Sequence, residues 1–219
     1  DNCAPHPPAP PCPPCAPCPP APPVPRMPTT ITTETLFTSA HTPGGFLETP
    51  IADETLHALY ELLKWGPTSA NCTPARFVFA RSTAARERLA GCVSPGNAER
   101  VRTAPVTAIV GMDLDFPETL PRLYPQADAR SWYAGKPELV ETTALRNSSL
   151  QGAYLILAAR ALGLDAGPMS GFDAERVDAA FWAGTRVRTN FICVLGHADP
   201  AQARPRNPRL GFEEACRIE

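Results

Sequence analysis

Residues 139–162 read as one long helix stopped by Gly163, and its second half, from Ala153 to Ala161, is apolar on every face except at Arg160. A helix that is apolar all round has to be covered all round. In a chain of 219 residues, long enough for one domain with a substantial core, two arrangements meet that demand. The helix can run through the middle of the domain, or one side of it can lie in an interface between two copies of the chain. The helix by itself leaves both open.

Shorter patterns surround it. Residues 33–40 suit a first short helix with Leu36 and Phe37 turned inward. Asp53 and Glu54 precede Leu56, Leu59, Tyr60 and Leu63, a helical apolar stripe with acids at the positive end of its dipole. Residues 77–80 and 105–112 are apolar runs suited to buried strands, and 190–195 gives a third. Residues 83–89 and 97–102 read as short helices on either side of Ser94-Pro95-Gly96, and Asp173 as the N-cap of a helix over 174–183. Residues 113–137 keep no period. Tyr124, Trp132 and Tyr133 in that excursion fit either an ordered cover over a flat ligand or plain surface packing. Residues 201–219 form a tail carrying Arg204, Arg206 and Arg209.

Residues 1–28 differ in kind. They hold 14 of the 28 prolines and four of the eight cysteines, with Asp1 and Arg26 their only charges. Proline lacks the amide donor that helices and ladders need, so an extended, partly polyproline segment is expected. Cys12, Cys15 and Cys18 have C-x-x-C-x-x-C spacing, but a second half-site is missing and the prolines oppose the turns that gather ligands. Neither a metal site nor a disulfide framework is expected, and the lack of a continuous apolar stretch argues against a secretory signal. The simplest reading starts the protein at Met27. It treats 1–26 as a disordered or non-native Pro/Cys-rich extension and 27–219 as the folded domain. Cys72, Cys92, Cys193 and Cys216 lack ligand spacing and read as reduced thiols of a cytoplasmic protein.

A net charge of −2 and only two lysines, Lys64 and Lys136, point to no nucleic acid. No run approaches the ~18–20 apolar residues of a spanning helix, so no membrane partner is expected either. There is no G-x-G-x-x-G or phosphate-loop sequence, no Ser-His-Asp order, no paired-carboxylate site and no His/Cys metal cluster. Four histidines leave few groups for acid–base work. An enzyme with this inventory can still act if a cofactor carries the reaction.

Two loops have the composition to hold one. Between the helix ending near Lys64 and the strand at Phe77, Gly66 and Pro67 stop the helix, glycine by tolerating a left-handed cap. Thr68, Ser69, Asn71 and Thr73 then offer neutral donors and acceptors with no acid or base among them. That set suits a ligand rich in carbonyl, hydroxyl and ring-nitrogen groups. It equally suits a loop whose side chains satisfy its own backbone. Farther on, Gly167 and Gly171 frame a loop that permits close backbone approach.

The segment Gly66-Pro67-Thr68-Ser69-Ala70-Asn71-Cys72-Thr73-Pro74-Ala75-Arg76-Phe77 resembles the first flavin-contact segment of the FMN-dependent nitroreductase family, Pro-Ser-Ser-x-Asn-x-Gln-Pro-Trp-x-Phe in its usual form. Thr73 in place of Gln and Ala75 in place of Trp resemble the malonic semialdehyde reductase (3-hydroxypropionate dehydrogenase) branch of pyrimidine degradation. The likeness continues through Asp128-Ala129-Arg130-Ser131-Trp132, Arg146-Asn147-Ser148-Ser149, Gly167-Pro168-Met169-Ser170-Gly171-Phe172-Asp173 and Pro208-Arg209-Leu210 to Phe212-Glu213-Glu214-Ala215. It covers about residue 34 to the C-terminus.

The resemblance implies an α+β fold, a three-layer sandwich with a central, mainly antiparallel sheet flanked by helices, in an intertwined homodimer with FMN at the subunit boundary. It implies NADPH or NADH as co-substrate and a small-molecule acceptor entering where the nicotinamide leaves. By the same resemblance, Pro67, Thr68 and Ser69 line the flavin and its ribityl chain, and Asn71 reaches it from the other subunit. Pro168, Met169, Ser170 and Gly171 meet the ring edge through backbone groups. Thr42 and Arg209 hold the phosphate together with position 41, where His41 replaces the branch's arginine and cannot fork onto an anion. The implied reaction reduces malonic semialdehyde to 3-hydroxypropionate, with Arg130 or Arg76 facing the substrate carboxylate. A broad nitro- or quinone reductase and a flavin-binding module without a dedicated substrate are the alternatives.

Overall fold

The computed structural model describes residues 31–219. The expectations for the extension over 1–26, its cysteine spacing included, lie outside the described residues. A π-helical turn, Glu34–Thr38, leads into α1 (Asp53–Leu63), a tight turn at Ser69–Asn71 and β1 (Ala75–Ala80). Next come α2 (Thr83–Ala90), α3 (Pro95–Thr103) and β2 (Val106–Asp113). A turn at Phe116–Thr119, α4 (Leu120–Leu123) and a further turn at Ala129–Tyr133 precede the longest helix, α5 (Pro137–Ala161). The chain continues through β3 (Asp165–Met169), α6 (Ala174–Phe181) and β4 (Val187–Gly196) to α7 (Phe212–Ala215).

The strands form one sheet in the order β1-β2-β4-β3 with every neighbouring pair antiparallel. Alternation along the strands divides the core in two. Val106, Ala108 and Val110 of β2, with Cys193 and Leu195 of β4, face Leu59 and Leu63 of α1 and Leu155, Ala158 and Ala159 of α5. Ile109, Ile192 and Val194 face the other way, onto Leu89, Val101, Val177 and Trp182. The expected layering, helices on both sides of an antiparallel sheet, is what these clusters build. A third cluster at one end joins Cys72, Met112, Leu114, Phe116, Leu120, Tyr133 and Ala144.

Several local expectations need correction. Phe37 is exposed rather than inward, and only Leu36 of that pair is half-buried. The stretch around Gly167 is not loop but edge strand β3, where Pro168 is tolerated because an edge leaves one side of the ladder unused. Residues 113–137 are ordered by packing: the Phe116 and Tyr133 rings meet edge-on at 4.9 Å, and Tyr124 and Trp132 at 6.0 Å. Gly66 takes no left-handed turn. Positive φ falls instead on Ala70 (48°), Asn71 (49°) and Thr73 (34°).

Gly163 does cap α5 as read, at φ +77°, with the Leu164 amide donating to the Ala159 carbonyl at 2.9 Å. The helix is not covered all round within one chain, however. Leu150, Ala153 and Tyr154 are exposed and Leu157 is only half-buried. Among the described residues no helix is long and apolar enough to cross a membrane.

Candidate functional site

The loop after α1 is held from below by α5. Asn147 Oδ1 accepts the Ser69 amide at 2.8 Å, and Gln151 Oε1 accepts the Ala75 amide at 2.9 Å. Inside the loop, Thr68 Oγ1 accepts the Thr73 amide at 3.1 Å, and Asn71 Nδ2 donates to the Leu123 carbonyl at 2.9 Å. Gly66 is needed for close approach, since a Cβ there would come within 2.9 Å of Tyr154 Cγ. Pro67, Ser69 and Asn71 remain exposed, so the loop presents donors and acceptors outward.

The second group gathers around β3. Pro168, Met169 and Ser170 share a 430 Å³ pocket with Ser149, Ala153 and Ile156 of α5 and with Asn190 and Phe191 of β4. A bulge between Val110 and Gly111 of β2 leaves Asn190 without a strand partner, and its amide donates to Ser148 Oγ at 2.8 Å and Ser149 Oγ at 3.0 Å. Gly171 accepts from Asn97 Nδ2 at 3.0 Å and from the Ser94 hydroxyl at 3.1 Å. A Cβ at Gly167 would meet Arg100 Nη2 and Thr42 Cγ2, each at 3.3 Å, so Thr42 and β3 are neighbours.

These two groups lie on opposite sides of α5. Asn147, Gln151 and Tyr154 serve the first, while Ser149, Ala153 and Ile156 line the second. At 3.6 residues per turn, positions 147 and 149 point about 200° apart. Leu150, Ala153 and Tyr154 make an exposed apolar ridge running between the groups.

Three arginine placements were not legible beforehand. Arg100 of α3 donates through Nη2 to the Pro43 carbonyl at 2.9 Å, while its buried Nε has no partner. Arg204 stands beside the same loop, its Nε 3.3 Å from where a Cβ on Gly44 would sit. No described carboxylate forms an ion pair with either one. Burial, and secondarily the charge of Arg204, hold the Arg100 pKa below its ordinary value. Arg206 donates to the Phe37, Thr38 and Ala40 carbonyls, closing the turn that leads to His41. A surface arginine on a short helix carries no motif. Only the fold brings Arg100 under residues 42–45.

The remaining expected residues fall as follows. His41 is exposed and donates from Nδ1 to the Ser39 carbonyl at 3.2 Å. Arg209 is turned onto its own backbone, donating to the Asn207 and Pro208 carbonyls at 3.0 Å. Arg76 pairs with Asp113 at 2.6 Å, and Arg130 pairs with Glu118 at 2.7 Å. Arg130 opens onto a 740 Å³ charged cleft that contains no residue of either loop group. Among the described residues no group of three or more His, Cys, Asp or Glu could hold a metal.

Cys72, at the foot of the first loop, has its thiol pushed up from 9.0 to about 11 by burial, partly offset by a hydrogen bond with Thr68. Below pH 9 it is protonated whether the chain is folded or not. Between pH 9 and 11 the unfolded thiol ionises first, so stability is lost as pH rises through that window. Urea unfolding midpoints should therefore fall across it, and fall less in Cys72→Ala. Identical pH slopes for the two proteins would contradict this.

Residues 45–197 match the protein-family model described as Nitroreductase family. A Burkholderia lata protein, provisionally named an NADH dehydrogenase/NAD(P)H nitroreductase, is 60% identical over 186 residues, or 85% of this chain and 95% of that protein. A Polynucleobacter asymbioticus protein with the same provisional name is 58% identical over 185 residues, 84% of this chain and 94% of its own length. A nitroreductase structure from Exiguobacterium sibiricum in complex with FMN superposes with a TM-score of 0.79 at 19% identity, covering 89% of this chain and all of that one. At that identity the structural likeness speaks for the fold.

Proposed function

The chain belongs to the nitroreductase family, and from that premise we propose that it holds FMN and passes reducing equivalents from NADPH or NADH to a small acceptor. The observation that carries this reading is the neutral, hydroxyl- and amide-bearing loop after α1 together with a neutral β3 end that has Arg100 and Arg204, free of acidic partners, beside it. The orphaned Arg100 Nε and the unmatched Arg204 fit an anionic group such as the FMN phosphate, onto which a guanidinium forks and the His41 imidazole cannot. Bound FMN supplies hydride chemistry, which no side chain here can provide.

In this reading Pro67, Thr68 and Ser69 line the ring and ribityl chain, and Asn71 reaches the flavin from the other copy. Asn71, its amide NH2 already given to Leu123, accepts through its carbonyl oxygen. Pro168, Met169, Ser170 and Gly171 offer backbone groups to the ring edge. Thr42, Arg100, Arg204 and Arg209, with His41, surround the phosphate. Because the loop after α1 and the β3 group face away from each other across α5, one ligand touches both only when a second copy supplies one of them. The exposed ridge on α5, and an arm whose Leu210, Phe212 and Ile218 are 69%, 56% and 89% exposed, support a homodimer of that kind.

For the acceptor we infer a short aldehyde acid, malonic semialdehyde, which takes a hydride and a proton to become 3-hydroxypropionate. This rests on the departures at Thr73 and Ala75. A second reading, a broad nitro- or quinone reductase, is favoured by one observation: both Arg76 and Arg130 already have acidic partners. The test is anaerobic reduction of purified protein. The flavin band near ~450 nm should bleach with NADPH or NADH and return faster with malonic semialdehyde than with an uncharged quinone. Faster return with quinone selects the broad enzyme. FMN that neither nucleotide bleaches leaves a flavin-binding module and ends the reductase reading.

A further inference from the structure

We propose that Asn147 is a positioning residue that holds the Pro67–Thr73 loop in a strained shape ready to meet the cofactor, an inference that rests on the FMN reading above. Ala70, Asn71 and Thr73 all have φ in the left-handed region, which residues with a Cβ adopt at a cost. Such a shape persists only where the surroundings over-determine it.

Here they do. Asn147 is 2% exposed and uses both ends of its amide. Oδ1 accepts the Ser69 amide at 2.8 Å, and Nδ2 donates to the Thr143 carbonyl, one turn earlier in α5, at 2.9 Å. The second bond fixes the orientation of the first. Gln151, 4% exposed and one turn later, holds the far end of the loop at the Ala75 amide. Cys72, fully buried, pins the middle into the third core cluster. The outward atoms of Thr68, Ser69 and Asn71 are thus set before any ligand arrives, and binding need not supply the ordering.

Two variants and two readouts test this. In Asn147→Leu apoprotein, hydrogen exchange at the Ser69 amide should accelerate about tenfold or more, and FMN should dissociate with a Kd about tenfold weaker or more, the scale of one lost buried hydrogen bond. Asn147→Asp keeps an oxygen facing Ser69 and, measured at a pH low enough to protonate the carboxyl, a donor for the Thr143 carbonyl, so there it should restore Ser69 protection and most of the FMN affinity. A loosened amide with unchanged Kd would show that the loop's shape is irrelevant to the ligand. An aspartate variant as impaired as the leucine one with its carboxyl protonated would show that the acceptor is not what matters. If Asn147→Leu does not fold, Asn147→Ser, too short to reach Ser69, carries the same comparison. Wild-type protein that takes up no FMN sinks the parent reading and this one together. Normal wild-type uptake with no loss in the variants sinks this one alone.

Discussion

Phe116→Ala is expected to destabilise the fold by about 3–5 kcal/mol, the cost of removing a fully buried ring and leaving its cavity. For a chain of this size that lowers Tm on the order of 10 °C. Phe116 begins the turn Phe116–Thr119 and meets Tyr133 edge-on at 4.9 Å, so it ties the two ends of the long excursion together. It also shares a cluster with Cys72 beneath the first loop, so the same variant should retain FMN poorly at temperatures where its sheet is still folded. A thermal melt within a degree or two of wild type would mean that the excursion is not part of the core.

Arg100→Met should have the largest effect on the cofactor with the least on the fold. Loss of a charged hydrogen-bond donor corresponds to about 1.5–3 kcal/mol, or roughly ten- to 150-fold in the FMN dissociation constant. The apoprotein should be no less stable. Methionine fills much of the same volume, removes a buried Nε that has no partner, and relieves repulsion from Arg204. What is lost is one bond to the Pro43 carbonyl. Arg100→Lys, keeping the charge without the fork, should fall between the two. Unchanged FMN affinity in Arg100→Met, measured by fluorescence titration, would move the phosphate away from α3.

Much of this architecture is legible in the residues because it depends on local periodicity. Leu59 and Leu63 of the α1 stripe, the Asp173 cap whose side chain accepts the Arg176 amide, and the Gly163 stop all follow from short-range rules and stand as read, whereas Leu56 of the same stripe is half-buried and Tyr60 exposed. β3 was hidden because Gly167 and Pro168 read as loop. A strand at an edge, with Val194 packed against the bare Gly167 Cα, tolerates both. The left-handed residues were hidden for the opposite reason: nothing in Ala70 or Thr73 asks for that conformation, and contacts to distant residues, Asn147 and Gln151 over seventy positions away among them, help impose it. Arginine roles were the least legible. Partners such as Glu118 and Asp113 are tertiary facts, and a charge is free or spent only once the fold has placed its neighbours.

The opposed faces of α5 make that helix a phase gauge. One inserted residue between Gln151 and Gly152 would rotate everything beyond it by about 100°. Asn147 would still hold its loop, but Ala153 and Ile156 would swing off the Pro168–Ser170 pocket, and Gly152, the one residue small enough to face Phe191, would be displaced by its neighbour. An insertion of the same size after α7, beyond Ala215, would disturb no such alignment. Length, then, is under tighter constraint than identity along the middle of α5. Homologous chains should vary there by substitution at Leu150 or Leu157 while keeping the count from Asn147 to Ile156 fixed.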